Sequence, residues 1–279
     1  MKRWILLMTA SFYCIWLQAQ TKMNCCSPTR QFAMLAMNQD FRAAHHAPVP
    51  FVFRDARGKM ISFATAGGKT AHAYFVKSPV ASENYLLVFH EWWGLNDYIK
   101  QMCDKLQHDL GNINVIAPDL YDGKVATTSA EAGKYMQAVT DGRARAIIRG
   151  ALKYAGPGSR IYTIGWCFGG GWSLQASLMA GNRAEGCVMY YGLPETNIDT
   201  LRTLHCDVLG LFANKDGWIT PKVVDTFVSD MKKAGKKLIV HRYDDVHGFA
   251  NPSNPKHDEA ATQNAYGHAL QFLKARIKH

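Results

Sequence analysis

The sequence predicts an α/β fold, a mostly parallel sheet of about eight strands with helices on both faces. Three observations carry that expectation. Short continuous apolar runs, of which Tyr85–His90 is the plainest, read as strands buried on both faces. They alternate with amphipathic stretches of helical length as far as the C-terminus, the signature of a parallel sheet with right-handed helical crossovers. The breaks between them fall at Gly, Pro, Asn and Asp, the residues that end strands and cap helices.

The elements follow in order. Residues 21–45 read as an irregular N-terminal segment, and a single domain is expected over 46–279. Phe51–Phe53, Lys59–Thr65 and Ala71–Val76 read as short strands between Gly turns (Arg57-Gly58, Gly67-Gly68), an antiparallel start to the sheet. Tyr85–His90 is the first buried strand. Asn96-Asp97 opens a helix that runs to Leu110 and ends at Gly111. Asn114–Ala117 is a strand closed by Pro118. Residues 129–154 read as one helix ended by Gly156-Pro157-Gly158. Arg160–Ile164 is a strand followed by a helix from Cys167 to Met179. Gly186–Tyr190, Asp207–Phe212 and Lys237–Tyr243 are strands. Thr220-Pro221 starts a helix to Lys233, and the last helix covers His257–Ile277.

Composition supports a core of this size: 279 residues, of which 48% are hydrophobic and 19% charged. Residues 1–20 stand apart. Lys2 and Arg3 precede an apolar run from Trp4 to Leu17, and Ala19 lies near a plausible cleavage point. A secretory signal peptide fits better than a membrane span, which needs roughly 20 apolar residues; the competing reading is an uncleaved anchor. The expected location is therefore periplasmic or secreted, with no stable membrane insertion after cleavage. Net charge is +10, and removal of Lys2 and Arg3 with no acids would leave +8. The basic residues are scattered and carry no nucleic-acid motif. The seven cysteines match no zinc or CxxC spacing, so neither a metal nor another cofactor is expected. Cys103, Cys187 and Cys206 fall in apolar segments and read as packing residues. A monomer is expected. The histidines at 45, 46, 72, 108 and 257 read as surface residues, whereas His90 stands next to the strongest motifs.

The strongest local signal is Gly165-Trp166-Cys167-Phe168-Gly169, a Gly-x-nucleophile-x-Gly pentapeptide between a predicted strand and a predicted helix. Such an elbow holds its nucleophile on a strained turn, so its neighbours two residues away must leave the backbone room. The helix behind Cys167 would aim its N-terminal dipole at the sulfur, which predicts a lowered thiol pKa. Downstream, Asp216 follows the strand ending at Phe212, and His247 follows the strand ending at Tyr243. Nucleophile, acid and histidine thus come in the chain order of an α/β-hydrolase triad, in loops at the edge of a parallel sheet where catalytic groups gather. The loop after Tyr85–His90 would supply an oxyanion donor, the backbone N–H of Trp92, to work with that of Phe168. Trp93 would line the pocket.

HEWWGLND, IAPDLYDG, IGWCFGGG, the Asp216 loop and VHGF together resemble the dienelactone hydrolase family over roughly residues 70 to 275. The resemblance implies an α/β-hydrolase fold, a catalytic triad of Cys167, Asp216 and His247, and a role for Glu91 as a carboxylate that holds or accepts the Cys167 proton before substrate binds. A carboxylate beside a thiol raises the thiol pKa, so a switchable Glu91 would keep the thiol protonated at rest. Family members that act on dienelactone carry arginines that clamp the substrate carboxylate. The corresponding stretches here, Tyr121-Asp122-Gly123-Lys124 and His247–Asn251, have none. Tyr121, Lys124, Phe249 and Asn251 are then the pocket candidates, with Lys124 a charge but not a bidentate fork. The implied activity is hydrolysis of a small-molecule ester or lactone through a thioester. The rival readings are a broad carboxylesterase on the same triad and a binding protein that kept the fold.

Overall fold

The structure is a computed structural model that describes residues 28–254 and 257–277; the expected signal segment and Cys14, Cys25 and Cys26 lie outside the described residues. Eight strands form one sheet: β1 (Lys59–Ala64), β2 (Thr70–Val76), β3 (Asn84–Phe89), β4 (Asn114–Pro118), β5 (Arg160–Trp166), β6 (Ala184–Tyr190), β7 (Val208–Ala213) and β8 (Leu238–Tyr243). Their spatial order is β1-β2-β4-β3-β5-β6-β7-β8. The β1/β2 and β2/β4 pairings are antiparallel and every later pairing is parallel. The expected sheet, with its antiparallel start, is present.

Chain direction across the sheet reverses after β3, since β4 lies on one side of it and β5 on the other. A crevice opens at the carboxyl ends of strands where the winding switches, and ligands bind there in open α/β sheets. Helices α3 (Asp97–Leu110) and α9 (Glu259–Lys274) pack together on the sheet, while α5 (Asp141–Ala155) and α6 (Phe168–Ala180) pack together elsewhere on it, joined by α1 (Pro28–Met37) and α4 (Ser129–Ala138). Helices α2 (Gln39–Ala44), α7 (Ile198–Arg202) and α8 (Pro221–Lys233) complete the described α-helices. The side chains of β4, β6 and β7 are buried almost throughout, as continuous apolar runs require.

Several boundaries differ from the sequence expectation. The segment expected to be irregular contains α1 and α2, and it does not stand outside the domain: Phe32, Ala36 and Phe41 are fully buried in the common core. Asn38 caps α2, its side chain accepting from the Phe41 N–H. Phe51–Phe53 is not a strand. Phe53 instead donates its N–H to Asp97, and Phe51 packs on Tyr98. The single helix expected over 129–154 is two, because Thr140 leaves the helical backbone and caps α5. A capping box of Thr128 and Glu131 starts α4.

Candidate active site

Four loops at the carboxyl ends of β3, β5, β7 and β8 bring the predicted residues together. Cys167 sits between β5 and α6 with φ +53°, a conformation that L-residues rarely adopt. The turn is feasible only because its glycines lack a Cβ. A side chain at Gly165 would collide with the backbone of Gly169, and one at Gly169 would collide with the carbonyls of Phe89 and His90. The N–H of Cys167 donates to the Tyr190 carbonyl, tying the elbow to β6.

From the sulfur a relay runs outward. Cys167 Sγ lies 3.2 Å from His247 Nε2, and His247 Nδ1 lies 2.6 Å from Asp216 Oδ2. The other carboxylate oxygen of Asp216 accepts the N–H groups of Trp218 (2.8 Å) and Ile219 (2.9 Å). Backbone therefore fixes the carboxylate, the carboxylate fixes the imidazole tautomer, and the free nitrogen faces the thiol. Burial opposes ionisation of Asp216, but His247 and these N–H donors outweigh it and hold the carboxyl below its usual range. Burial likewise works against a charged His247; Asp216 and Cys167 overcome it and hold the imidazole well above its ordinary pKa.

The thiol departs from expectation. Cys167 is 1% exposed, and burial pushes its pKa up, with Glu91 adding to the rise and His247 and the Phe168 N–H opposing it. A helix N-terminus does not prevail over loss of water around the sulfur. Glu91 is itself buried, which raises its pKa to about 7 against the opposing pull of His247 and a hydrogen bond from Asn251.

The remaining candidates divide. Trp92 and Phe168 are buried beside the elbow, and Phe168, as the first residue of α6, has an N–H without an intrahelical partner that reaches the sulfur. Trp93 packs edge-on against Trp92, and its carbonyl accepts from Ala126. Tyr121 Oη donates to the Trp92 carbonyl at 3.3 Å, so the 119–123 turn steadies the loop that carries Trp92. Asp119 holds that turn by accepting from the N–H groups of Tyr121 and Gly123. Phe249 is buried against Tyr191 and Tyr243. Asn251 lines a narrow cavity with Glu91 and Trp166. Lys124 does not reach the site: it is exposed, with its ammonium 5.4 Å from the Tyr135 ring centroid. His90 accepts the Leu120 N–H at Nε2 and donates to the Glu91 carbonyl from Nδ1, so it fastens two loops together.

Sequence reasoning missed what the N-terminal helices contribute. Phe41 packs on Trp92 (5.2 Å between ring centroids), Trp218 (5.0 Å) and His247 (6.0 Å). His45, read from sequence as a surface residue, lies over Trp92 (4.9 Å) and near His247 (5.6 Å), and burial lowers its pKa to about 3. These side chains lie beside the buried Cys167 thiol and its histidine partner. The spacing of Phe32, Leu35 and Ala36 held a weak helical signal; nothing local in the sequence indicated what that helix would cover.

Cys103, Cys187 and Cys206 are buried and unpaired, as packing residues should be. Among the described residues no helix is long and apolar enough to cross a membrane.

Comparison with known proteins agrees with this architecture. The dienelactone hydrolase family profile matches residues 71–277. Protein usf of Aquifex pyrophilus is 27% identical over 232 residues, covering 78% of this chain and 98% of its own. Carboxymethylenebutenolidase 1 of Cupriavidus pinatubonensis is 23% identical, covering 75% of this chain and 92% of its own. A solved dienelactone hydrolase-like promiscuous phosphotriesterase from metagenomic libraries superposes with a TM-score of 0.69 at 18% identity, over 80% of this chain and all of the other, a likeness of fold. With the family profile spanning strands β3 to β8, the elbow and the histidine loop, the chain belongs to the dienelactone hydrolase family and is an ester or lactone hydrolase with the α/β-hydrolase fold.

Proposed function

We propose that the protein cleaves a small-molecule ester or lactone through a thioester on Cys167. The observation that carries this is the unbroken relay from Sγ through His247 to Asp216, set on a positive-φ elbow at the start of α6. The Sγ proton passes to His247 Nε2 and the thiolate attacks the carbonyl carbon. The N–H groups of Trp92 and Phe168 receive the oxyanion, each such donor contributing about 3 kcal/mol in comparable acyl transfer. The imidazolium returns its proton to the leaving oxygen as the C–O bond breaks. His247 then takes a proton from water, hydroxide adds to the thioester, and the thiol departs. In a lactone the leaving alcohol stays tethered, so reclosure competes with hydrolysis.

The surroundings of the thiol favour uncharged acyl groups. Phe41, Trp218 and Tyr191 all pack against His247, Trp92 packs on Phe41, Asn251 is engaged with Glu91, and the Lys124 ammonium lies by Tyr135. The same aromatic lining without a cationic clamp also favours the second reading, a broad carboxylesterase. The composition of residues 1–20 supports action outside the cytoplasm. Hydrolysis of p-nitrophenyl acetate, a simple lactone and dienelactone by the parent and by Cys167→Ala tests the proposal. The variant should lose about a thousandfold or more in kcat, and the preferred compound separates lactonase from esterase. Equal turnover by both proteins would remove Cys167 from the mechanism.

A further inference from the structure

The side chain of His45, which the hydrolytic relay does not use, completes a cluster with two residues of that relay. One donor atom each from His45, Cys167 and His247 lies within 4.8 Å of the other two. We propose that these three residues form a zinc site, in which α2 delivers the third ligand and the bound ion holds the catalytic sulfur inactive.

The donor set suits the ion. Two imidazoles and one thiolate are a recurrent zinc combination, with the fourth position left to water. At Zn–N distances of about 2.0–2.1 Å and Zn–S of about 2.3 Å, neighbouring ligand atoms stand roughly 3–4 Å apart. The Sγ to His247 Nε2 separation is already 3.2 Å. The cluster closes around an ion with side-chain movements of about 1 Å on those bond lengths.

The outer contacts match as well. A zinc-ligating histidine donates its second ring nitrogen to a carboxylate or a backbone carbonyl, which fixes the ring and frees the other lone pair. His247 Nδ1 is held by Asp216 at 2.6 Å. His45 Nδ1 is held by the Phe41 carbonyl at 2.7 Å. Both imidazoles are therefore oriented by the two kinds of partner that such sites employ, and each keeps Nε2 for a metal. For His45 this arrangement has no part in the acyl-transfer steps.

Binding forms one Zn–S and two Zn–N bonds and releases to solvent the one proton shared by Cys167 and His247. No redox change is involved. The ion occupies the lone pair that would attack substrate, so a zinc-loaded enzyme is silent until the metal is withdrawn. Because His45 lies on the segment that covers the thiol, the ion also fastens that segment down.

The binding is independent of the hydrolytic reading; only its effect on turnover rests on it. The test is titration of the purified full chain with Zn2+ in competition with a chromophoric chelator, and with Co2+ as a spectroscopic substitute. We expect one ion per chain, proton release on binding, and a near-ultraviolet thiolate-to-cobalt charge-transfer band. Cys167→Ser should abolish the band. His45→Ala and His45→Gln should each weaken binding roughly tenfold or more, at least what loss of a single outer partner costs a metal site. His108→Ala, on an exposed helix face, should leave it unchanged. Stoichiometric Zn2+ should suppress ester hydrolysis and chelator should restore it. Absence of stoichiometric binding by the parent, or undiminished affinity in both His45 variants, overturns the proposal. Loss of esterase activity in all preparations would count against the hydrolytic reading alone, since the cobalt band reports the site without turnover.

Discussion

The Cys167 thiol rests in an environment that disfavours its ionised form. Burial is the main cause, and Glu91 reinforces it once that carboxyl is charged. With Glu91 titrating at about 7, its charge appears in the pH range where a hydrolase would work. The sign is definite: above that pH a carboxylate near Sγ pushes the thiol pKa up, and a neutral amide would not. Glu91→Gln should therefore shift the Cys167 alkylation profile to lower pH, read as iodoacetamide rate against pH in parent and variant. Superimposable profiles would deny Glu91 any hold on the sulfur. Asp216 acts differently, since both its oxygens are engaged, one by backbone and one by His247. Asp216→Asn would keep the backbone contacts but offer His247 either a donor or a weaker acceptor, and kcat should fall by about 10⁴, as for the equivalent change in serine triads.

Two elements decide whether these residues meet. The first is the elbow, where α6 approaches β3 so closely that the Gly169 Cα hydrogen faces the Phe89 and His90 carbonyls. Gly169→Ala forces that contact apart at a cost of about 1–3 kcal/mol or more. A melting temperature lower by roughly 2–4 °C per kcal/mol follows for a domain of this size, with activity lost beyond what folding explains. An unchanged melting temperature would mean the helix can back away freely. The second element is α2. Truncation of a buried Phe costs about 3–5 kcal/mol, and each 1.4 kcal/mol is tenfold in population. Phe41→Ala should accordingly raise the alkylation rate of Cys167 by about tenfold or more; an unaltered rate would show that α2 does not control access. The elbow was legible in sequence because its geometry demands particular residues at fixed spacing. So were Asp216 and His247, each placed by the strand before it. The role of α2 was not, because Phe41 and His45 carry no motif and their meaning lies in what they cover, a long-range contact that spacing cannot express. Lys124 was picked by its place in the chain alone, and its ammonium lies by the Tyr135 ring, a long-range contact that spacing does not express.

Across the whole molecule, opposite pH dependences meet at one site. Glu91 has a folded pKa of about 7, above its ordinary 4.5, so its stabilising contribution is complete below pH 4.5 and is lost as pH rises to about 7. His45 has a folded pKa of about 3, below its ordinary 6.5, so its contribution is complete above pH 6.5 and is lost as pH falls toward 3. Between these limits acidification strengthens the carboxyl side of the cleft and weakens the attachment of α2. A single melting curve would blur the two, but a variant separates them. At about pH 5 the His45 contribution has fallen by at most about 2 kcal/mol, since one pKa unit is worth about 1.4 kcal/mol. His45→Gln removes that titration and leaves Glu91 in place. The melting temperature of the parent should therefore drop relative to that of the variant by roughly 4–8 °C between about pH 7 and about pH 5, at 2–4 °C per kcal/mol. Calorimetry of both proteins across that interval measures it. Parallel curves would mean that His45 gains a charge without leaving its place over Trp92, and the packing of Phe41 and the hydrogen bonds of Arg42 would then hold α2.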